Sequence, residues 1–187
     1  KATTIIASRG CPYSCSFCDN PPFLKKLRFR SPQNVAEEIR ELIDKHGCYK
    51  YRFNDDVFTA VKDRTIKLCK ALEPLHIAYR CHTRAGLVDR DILSALKKSG
   101  CSELAFGVES ADDRVLKLVR KGETYESNLK AIKLSKELGL RAKAYFIVGM
   151  PAETWETIEK NKQFLREAQP DKWSLSTFLP YFGSEIY

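Results

Sequence analysis

Three thiols, Cys11, Cys15 and Cys18, stand within eight residues of the stretch RGCPYSCSFCDNPP, spaced Cys-x3-Cys-x2-Cys. Thiols set this close point to metal. A structural zinc site takes four ligands, usually two pairs joined by a longer spacer. No second pair follows here. Cys48, Cys69, Cys81 and Cys101 are isolated, and His46, His76 and His82 lie far along the chain. The isolated cysteines are expected as small buried apolar residues. Three thiolates on one loop suit a [4Fe–4S] cluster, which can leave its fourth iron open to coordinate a substrate or cofactor. Three thiols around one zinc, with water in the fourth place, is the competing reading, and the spacing is unusual for it.

Such a loop needs a scaffold. Short apolar runs, read as strands over Thr3–Ala7, Tyr49–Asn54, Ile77–His82, Glu103–Val108, Arg141–Val148 and Lys172–Phe178, alternate with longer amphipathic ones. The latter read as helices over Pro32–His46, Arg64–Leu72, Arg90–Lys98, Tyr125–Leu138 and Thr154–Ala168. Ser31-Pro32 is a helix start, and Val35, Ile39, Leu42 and Ile43 keep helical spacing. Gly100 and Gly139 are expected as helix stops. Strand–helix alternation predicts an α/β fold, a partial (β/α)6 TIM-like barrel of parallel strands. A flat doubly wound sheet is the structural alternative.

In such a barrel, chemistry gathers at the C-terminal ends of the strands. The first exit delivers the cysteine loop and the second delivers NDDVFT with Asp55 and Asp56. The third carries Arg84, the fourth Glu109 and Ser110, and the fifth Gly149, Met150, Pro151 and Glu153. Charge, glycine or proline at nearly every exit predicts a ligand site at one rim. Lys143 and Tyr145 share strand parity with Ile147 and are expected to face the lumen, with no role assigned.

The 187 residues suit one domain, and 43% hydrophobic with 30% charged residues is ordinary globular composition. No run of about 18 apolar residues appears, so no membrane span is expected, and TTIIA is too short for an export signal. An odd number of cysteines without a secreted-scaffold spacing predicts a reducing, cytoplasmic setting. The net charge of +8 would tolerate nucleic acid, but Lys25, Lys26, Arg28 and Arg30 read better as a solvated loop. The chain lacks an initiator Met, opens in a strand-like run and stops at FLPYFGSEIY. We therefore expect residues 1–187 to be one core domain of a longer protein.

CPYSCSFC resembles the cysteine signature of the radical S-adenosylmethionine (SAM) enzymes, including the aromatic Phe17 before the last cysteine. The resemblance runs along essentially the whole chain. It implies a radical SAM core in which the open iron binds the methionine end of the cofactor. An electron then cleaves the sulfonium to methionine and a 5′-deoxyadenosyl radical. GVES and FIVGMPAET resemble the family's fourth- and fifth-strand motifs. By that resemblance Glu109 helps hold the cofactor, and the fifth-strand motif supports the adenine. RSPQNVAEEI, NDDVFT, TRAGLVD, GVESADDRVL and RKGET look most like the cobalamin-dependent branch, with its radical methyltransferases and anaerobic porphyrin cyclase. The cobalamin-binding domain expected upstream is not in this chain, and Ala152 stands where a glycine is common.

Physical chemistry extends the site. Arg84 or Lys121 could pair with the methionine carboxylate. Glu109 and Ser110 could accept from ribose hydroxyls or the ammonium. Asp55 and Asp56 lie where simpler members contact the ammonium, Phe17 lies near the adenine, and Gly149 lets backbone approach a flat base. Competing readings make Asp55 and Asp56 caps, Arg84 a structural ion pair and Lys121 a solvated lysine. The expected function is cofactor cleavage, with cobalamin-dependent methyl transfer or related radical chemistry. The alternatives are a cobalamin-independent tRNA-modifying (methylthiotransferase-like) enzyme and a non-enzymatic metal-binding domain. Expected partners are a small-molecule, lipid, tetrapyrrole or peptide substrate and an electron donor such as flavodoxin or ferredoxin, with nucleic acid not favoured.

Overall fold

The computed structural model of the chain describes residues 1–19, 21 and 24–187. Asn20 and Pro22, at the end of the quoted cysteine stretch, and Phe23 lie outside them. The main sheet has six parallel strands in the order β1 (Ala2–Ile5), β4 (Lys50–Phe53), β5 (Ala78–Thr83), β6 (Cys101–Glu109), β7 (Arg141–Val148) and β8 (Lys172–Thr177). The strands β2 (Ser8–Arg9) and β3 (Arg28–Phe29) form a separate antiparallel pair. Strand order following chain order is what a parallel barrel wall requires, and β1 and β8 remain its edges.

Helices make the crossovers: α1 (Pro32–His46), α2 (Lys62–Leu72), α3 (Arg90–Lys98), α4 (Asp113–Leu118), α5 (Tyr125–Glu137) and α6 (Trp155–Ala168). Local chemistry sets their ends. Ser31 accepts from the Asn34 N–H at 3.1 Å and Pro32 opens α1. Asp89 accepts from the Ile92 N–H at 2.9 Å before α3, and a Thr124–Ser127 capping box starts α5. Gly100 leaves α3 at φ +94°, where a Cβ would fall on the Ile77 carbonyl oxygen; only glycine fits that turn.

One sheet face buries Tyr51, Phe53, Tyr79, Leu104, Phe106, Ala144 and Phe146 in a single core with Val35, Ile39, Leu68, Leu93, Leu96, Ile132 and Phe164 from the helices. Fully burying each large apolar side chain contributes about 1.5–3 kcal/mol. Period-2 alternation sends the opposite residues, Arg52, Arg80, His82, Lys143 and Tyr145, to the concave face, where they line cavities. Cys48, Cys69, Cys81 and Cys101 are buried, as expected.

The six strands and the five expected helices form with boundary shifts of a few residues. Strand β1 ends at Ile5 rather than Ala7, because the Ala7 N–H is taken by the Asp55 carboxylate instead of a sheet ladder. The β2–β3 pair and α4 were not expected. Two-residue strands show no alternation, and six helical residues are too few to display a period.

Candidate metal centre and cofactor cavity

The cysteine loop leaves β2 and returns on β3, and four backbone ties fix it. Gly10 sits at φ +96°, where a Cβ would come within 2.5 Å of the Lys26 carbonyl oxygen. Its N–H donates to Asp56 Oδ2 at 2.9 Å. The Cys11 N–H donates to the Leu24 carbonyl at 2.8 Å, and the Ser16 N–H to the Val119 carbonyl at 3.0 Å. The Cys18 N–H closes a turn onto the Cys15 carbonyl at 3.1 Å. Partial burial pushes the Cys11 and Cys18 thiols up, and at Cys11 the Tyr13 backbone and then the Arg84 guanidinium offset only part of the rise. Metal loading at these thiols must therefore release protons.

All three thiols line one cavity of about 380 Å³ under the strand exits. Among the described residues no three His, Cys, Asp or Glu side chains are gathered closely enough to share one ion. A single zinc draws thiolates to about 3.8 Å of one another, the edge of a tetrahedron with bonds of about 2.3 Å. A cluster gives each thiolate its own iron and spreads the thiols around a wider core, and these three face a common space. The residues present fit the cluster.

Five of the expected cofactor residues line the same cavity: Phe17, Asp56, Arg84, Glu109 and Lys121. Glu109 sits at φ +64° where the pairing of β6 with β7 shifts register. A non-glycine residue held there stores about 1–3 kcal/mol of strain. The turn aims its carboxylate at Lys121 Nζ, 2.8 Å away, with side chains 12% and 7% exposed. Lys121 is thus a buried ion-pair partner, not a solvated lysine. Arg84 is held from several sides. Nε meets Glu123 Oε1 at 3.3 Å, Nη2 donates to the Lys121 carbonyl, and the guanidinium lies 3.8 Å over the Tyr13 ring. Its Nη1 reaches Cys15 Sγ at 3.5 Å. Arg84 therefore ties the third strand exit to the cysteine loop. Phe17 also packs with Val115, Val119 and Met150.

Three expected cofactor residues, Asp55, Ser110 and Gly149, are not among those lining this cavity. Asp55 is 2% exposed and accepts from the Ala7 N–H at 2.8 Å and the Ser8 hydroxyl at 2.5 Å, so it anchors the loop from behind. Ser110 is buried and accepts from the Asp112 N–H at 3.1 Å, ahead of α4. Gly149, at φ +84°, borders a neighbouring groove with Val148 and Trp155, and its N–H donates to Glu153 Oε1 at 2.6 Å. Sequence reasoning did not single out Tyr13, Glu123 or Gly107. At Gly107 a Cβ would strike the Glu109 carboxylate and come 2.9 Å from Lys121 Nζ. Gly107, Tyr13 and Glu123 stand inside GVES, CPYSC and RKGET, so the signal was present for all three.

The model of the radical SAM superfamily matches residues 5–165. The chain belongs to the radical SAM superfamily. An uncharacterised methyltransferase of Pyrococcus horikoshii is 33% identical over 186 residues, covering 98% of this chain and 40% of that protein. The anaerobic magnesium-protoporphyrin IX monomethyl ester cyclase of Rubrivivax gelatinosus is 32% identical over 184 residues, covering 96% of this chain and 33% of that protein. This radical SAM chain thus spans about a third to two fifths of those relatives. In fold it matches the radical SAM methyltransferase TsrM from Kitasatospora setae, solved with cobalamin and a [4Fe-4S] cluster. There the TM-score is 0.87 at 20% identity, over 99% of this chain and 36% of that one. Radical SAM membership brings a [4Fe–4S] cluster and S-adenosylmethionine as cofactors. Among the described residues no helix is long and apolar enough to cross a membrane.

Proposed function

We propose that the protein carrying this chain is an enzyme that cleaves S-adenosylmethionine reductively. In this reading residues 1–187 are its radical SAM core, and a cobalamin-binding domain lies upstream. The observation that carries it is the shared cavity: three thiols, the Glu109–Lys121 pair and Asp56 face one space. When bound, the reduced cluster supplies the one electron that breaks the cofactor's carbon–sulfur bond. The chain's own residues bind and orient. Cys11, Cys15 and Cys18 hold the iron, and Arg84, with Nη1 3.5 Å from Cys15 Sγ, fixes that thiol in place. Lys121 offers a cation to the methionine carboxylate, and Glu109 and Asp56 offer acceptors to the ammonium or ribose. Phe17 supplies an apolar wall for the adenine.

With cobalamin, the reaction is methyl transfer to an unactivated carbon or a related radical step. The supports are relatives that include methyltransferases and porphyrin cyclases. The substrate is a small molecule, lipid, tetrapyrrole or peptide, and flavodoxin or ferredoxin supplies the electron in a reducing cytoplasm. The test uses the full-length gene product, anaerobically reconstituted, with dithionite, cobalamin and methyl-labelled cofactor. We expect 5′-deoxyadenosine and methionine by chromatography and cobalamin absorbance. Cleavage without cobalamin absorbance would favour the tRNA-modifying reading, for which a putative methylthiotransferase of Methanocaldococcus jannaschii, 30% identical over 196 residues, is a relative. No cleavage would overturn the proposal.

A further inference from the structure

Beneath the cofactor cavity the concave face of the sheet holds a second space of about 210 Å³. His82, Ala105 and Tyr145 line both, so the two adjoin across these side chains. Its charge is mostly positive: Arg52, Arg80 and Lys143 line it against the single carboxylate of Glu103. Arg52 and Arg80 stand directly opposite each other across β4 and β5, and Lys143 faces Ala105 across β6 and β7. Like charges set opposite on one sheet face destabilise it. Yet among the described residues none of these three cations is in an ion pair. The carboxylate at hand, Glu103, is bound to Lys172 at 2.9 Å. Lys143 Nζ rests 4.4 Å over the Tyr145 ring, which itself meets the His82 ring edge-on at 5.9 Å. Burial and the same three cations hold His82 below its ordinary value, so the ring stays neutral and able to donate one hydrogen bond. Guanidinium forks, an ammonium and a neutral imidazole on a concave wall recognise one chemistry, an oxyanion. With Glu103 neutralised by Lys172, the cavity carries a net positive charge, which concentrates such ions.

We propose that Arg52, Arg80 and Lys143, around His82, seat an anionic group of the substrate, a carboxylate or a phosphate. The substrate's reacting carbon then extends upward into the cysteine-lined cavity. This rests on the reading under Proposed function and narrows its substrate class to acidic molecules.

The test is calorimetry on the full-length gene product with inorganic pyrophosphate in one arm and citrate in the other. Saturable binding is expected, and the stronger arm tells phosphate from carboxylate. Arg80→Gln and Lys143→Gln should each weaken it about tenfold or more, the ratio that one lost charged hydrogen bond gives. Circular dichroism checks folding, and Arg52→Gln is the second variant should either fail. A control with the exposed Lys67, Lys70 and Lys130 changed to Gln should bind as wild type. No saturable binding in either arm, or equal weakening in the control, overturns the proposal. Substrate-independent cleavage of S-adenosylmethionine by the wild-type protein reads the cofactor site separately. Cleavage present beside absent anion binding counts against the well. Cleavage absent beside saturable anion binding refutes the radical reading, and with it the substrate role of the well.

Discussion

Asp55→Ala should unfold the root of the cysteine loop without touching the cavity. The Ala7 backbone and Ser8 are 0% and 3% exposed, and both donate to the Asp55 carboxylate. Alanine strands two buried donors, each costing about 1–3 kcal/mol. It also leaves Arg64, which donates to the Ala7 carbonyl at 2.8 Å, without its nearby counter-charge. Against this stands relief of a buried carboxylate, whose pKa burial has already raised. The net loss should be about 2–4 kcal/mol, read as a lower urea midpoint at unchanged slope. Asp55→Asn keeps an acceptor for Ala7 and should lose only about 1 kcal/mol. The pH dependence has a definite sign. Folding raises the Asp55 pKa above the ordinary 3.8. Its stabilising contribution is therefore complete below 3.8 and is lost as pH rises through the raised folded value. Wild-type stability relative to Asp55→Asn should decline upward from about pH 4. An Asp55→Ala protein within about 0.5 kcal/mol of wild type would refute the anchor. So would an Asp55→Asn protein of normal stability that binds S-adenosylmethionine more weakly.

Lys121→Met should cost about 3–5 kcal/mol in urea unfolding, because it leaves the Glu109 carboxylate buried and unpaired. Adding Glu109→Gln should restore most of that, and an additive double mutant would mean the two do not interact. In calorimetry on the loaded protein, Glu109→Gln should weaken S-adenosylmethionine by about 1–3 kcal/mol; unchanged affinity would remove Glu109 from the pocket. Gly100→Ala meets both a positive φ and the Ile77 carbonyl, so its melting temperature should fall by at least about 4 °C; a smaller shift would mean the turn can relax.

The strands and long helices were legible because core spacing leaves a period. Val35, Ile39, Leu42 and Ile43 trace one face of α1, and Ser31-Pro32 opens it as expected. The cysteine trio was legible because three thiols so close have few other uses. The division of labour between Asp55 and Asp56 was not. Adjacent residues leaving a strand point opposite ways, and only the packed loop decides which carboxylate faces the cavity. Ser110 escaped for the same reason: a motif names residues near a site, while the local turn decides where a side chain aims. The Arg84–Glu123 contact joins residues 39 positions apart, a separation at which neither periodicity nor spacing carries a signal. Likewise the cations of the concave face are spread over β4, β5 and β7, and only the sheet register brings them together.

The claim on which everything else rests is that Cys11, Cys15 and Cys18 together hold one [4Fe–4S] cluster. Iron and sulfide counting on anaerobically reconstituted protein tests it directly, with Cys11→Ala, Cys15→Ala and Cys18→Ala beside Cys81→Ala as a buried-thiol control. About four irons per chain are expected in wild type and control, lost in each of the three loop variants. Stoichiometric zinc in place of iron, or full iron content surviving any of the three substitutions, would contradict it.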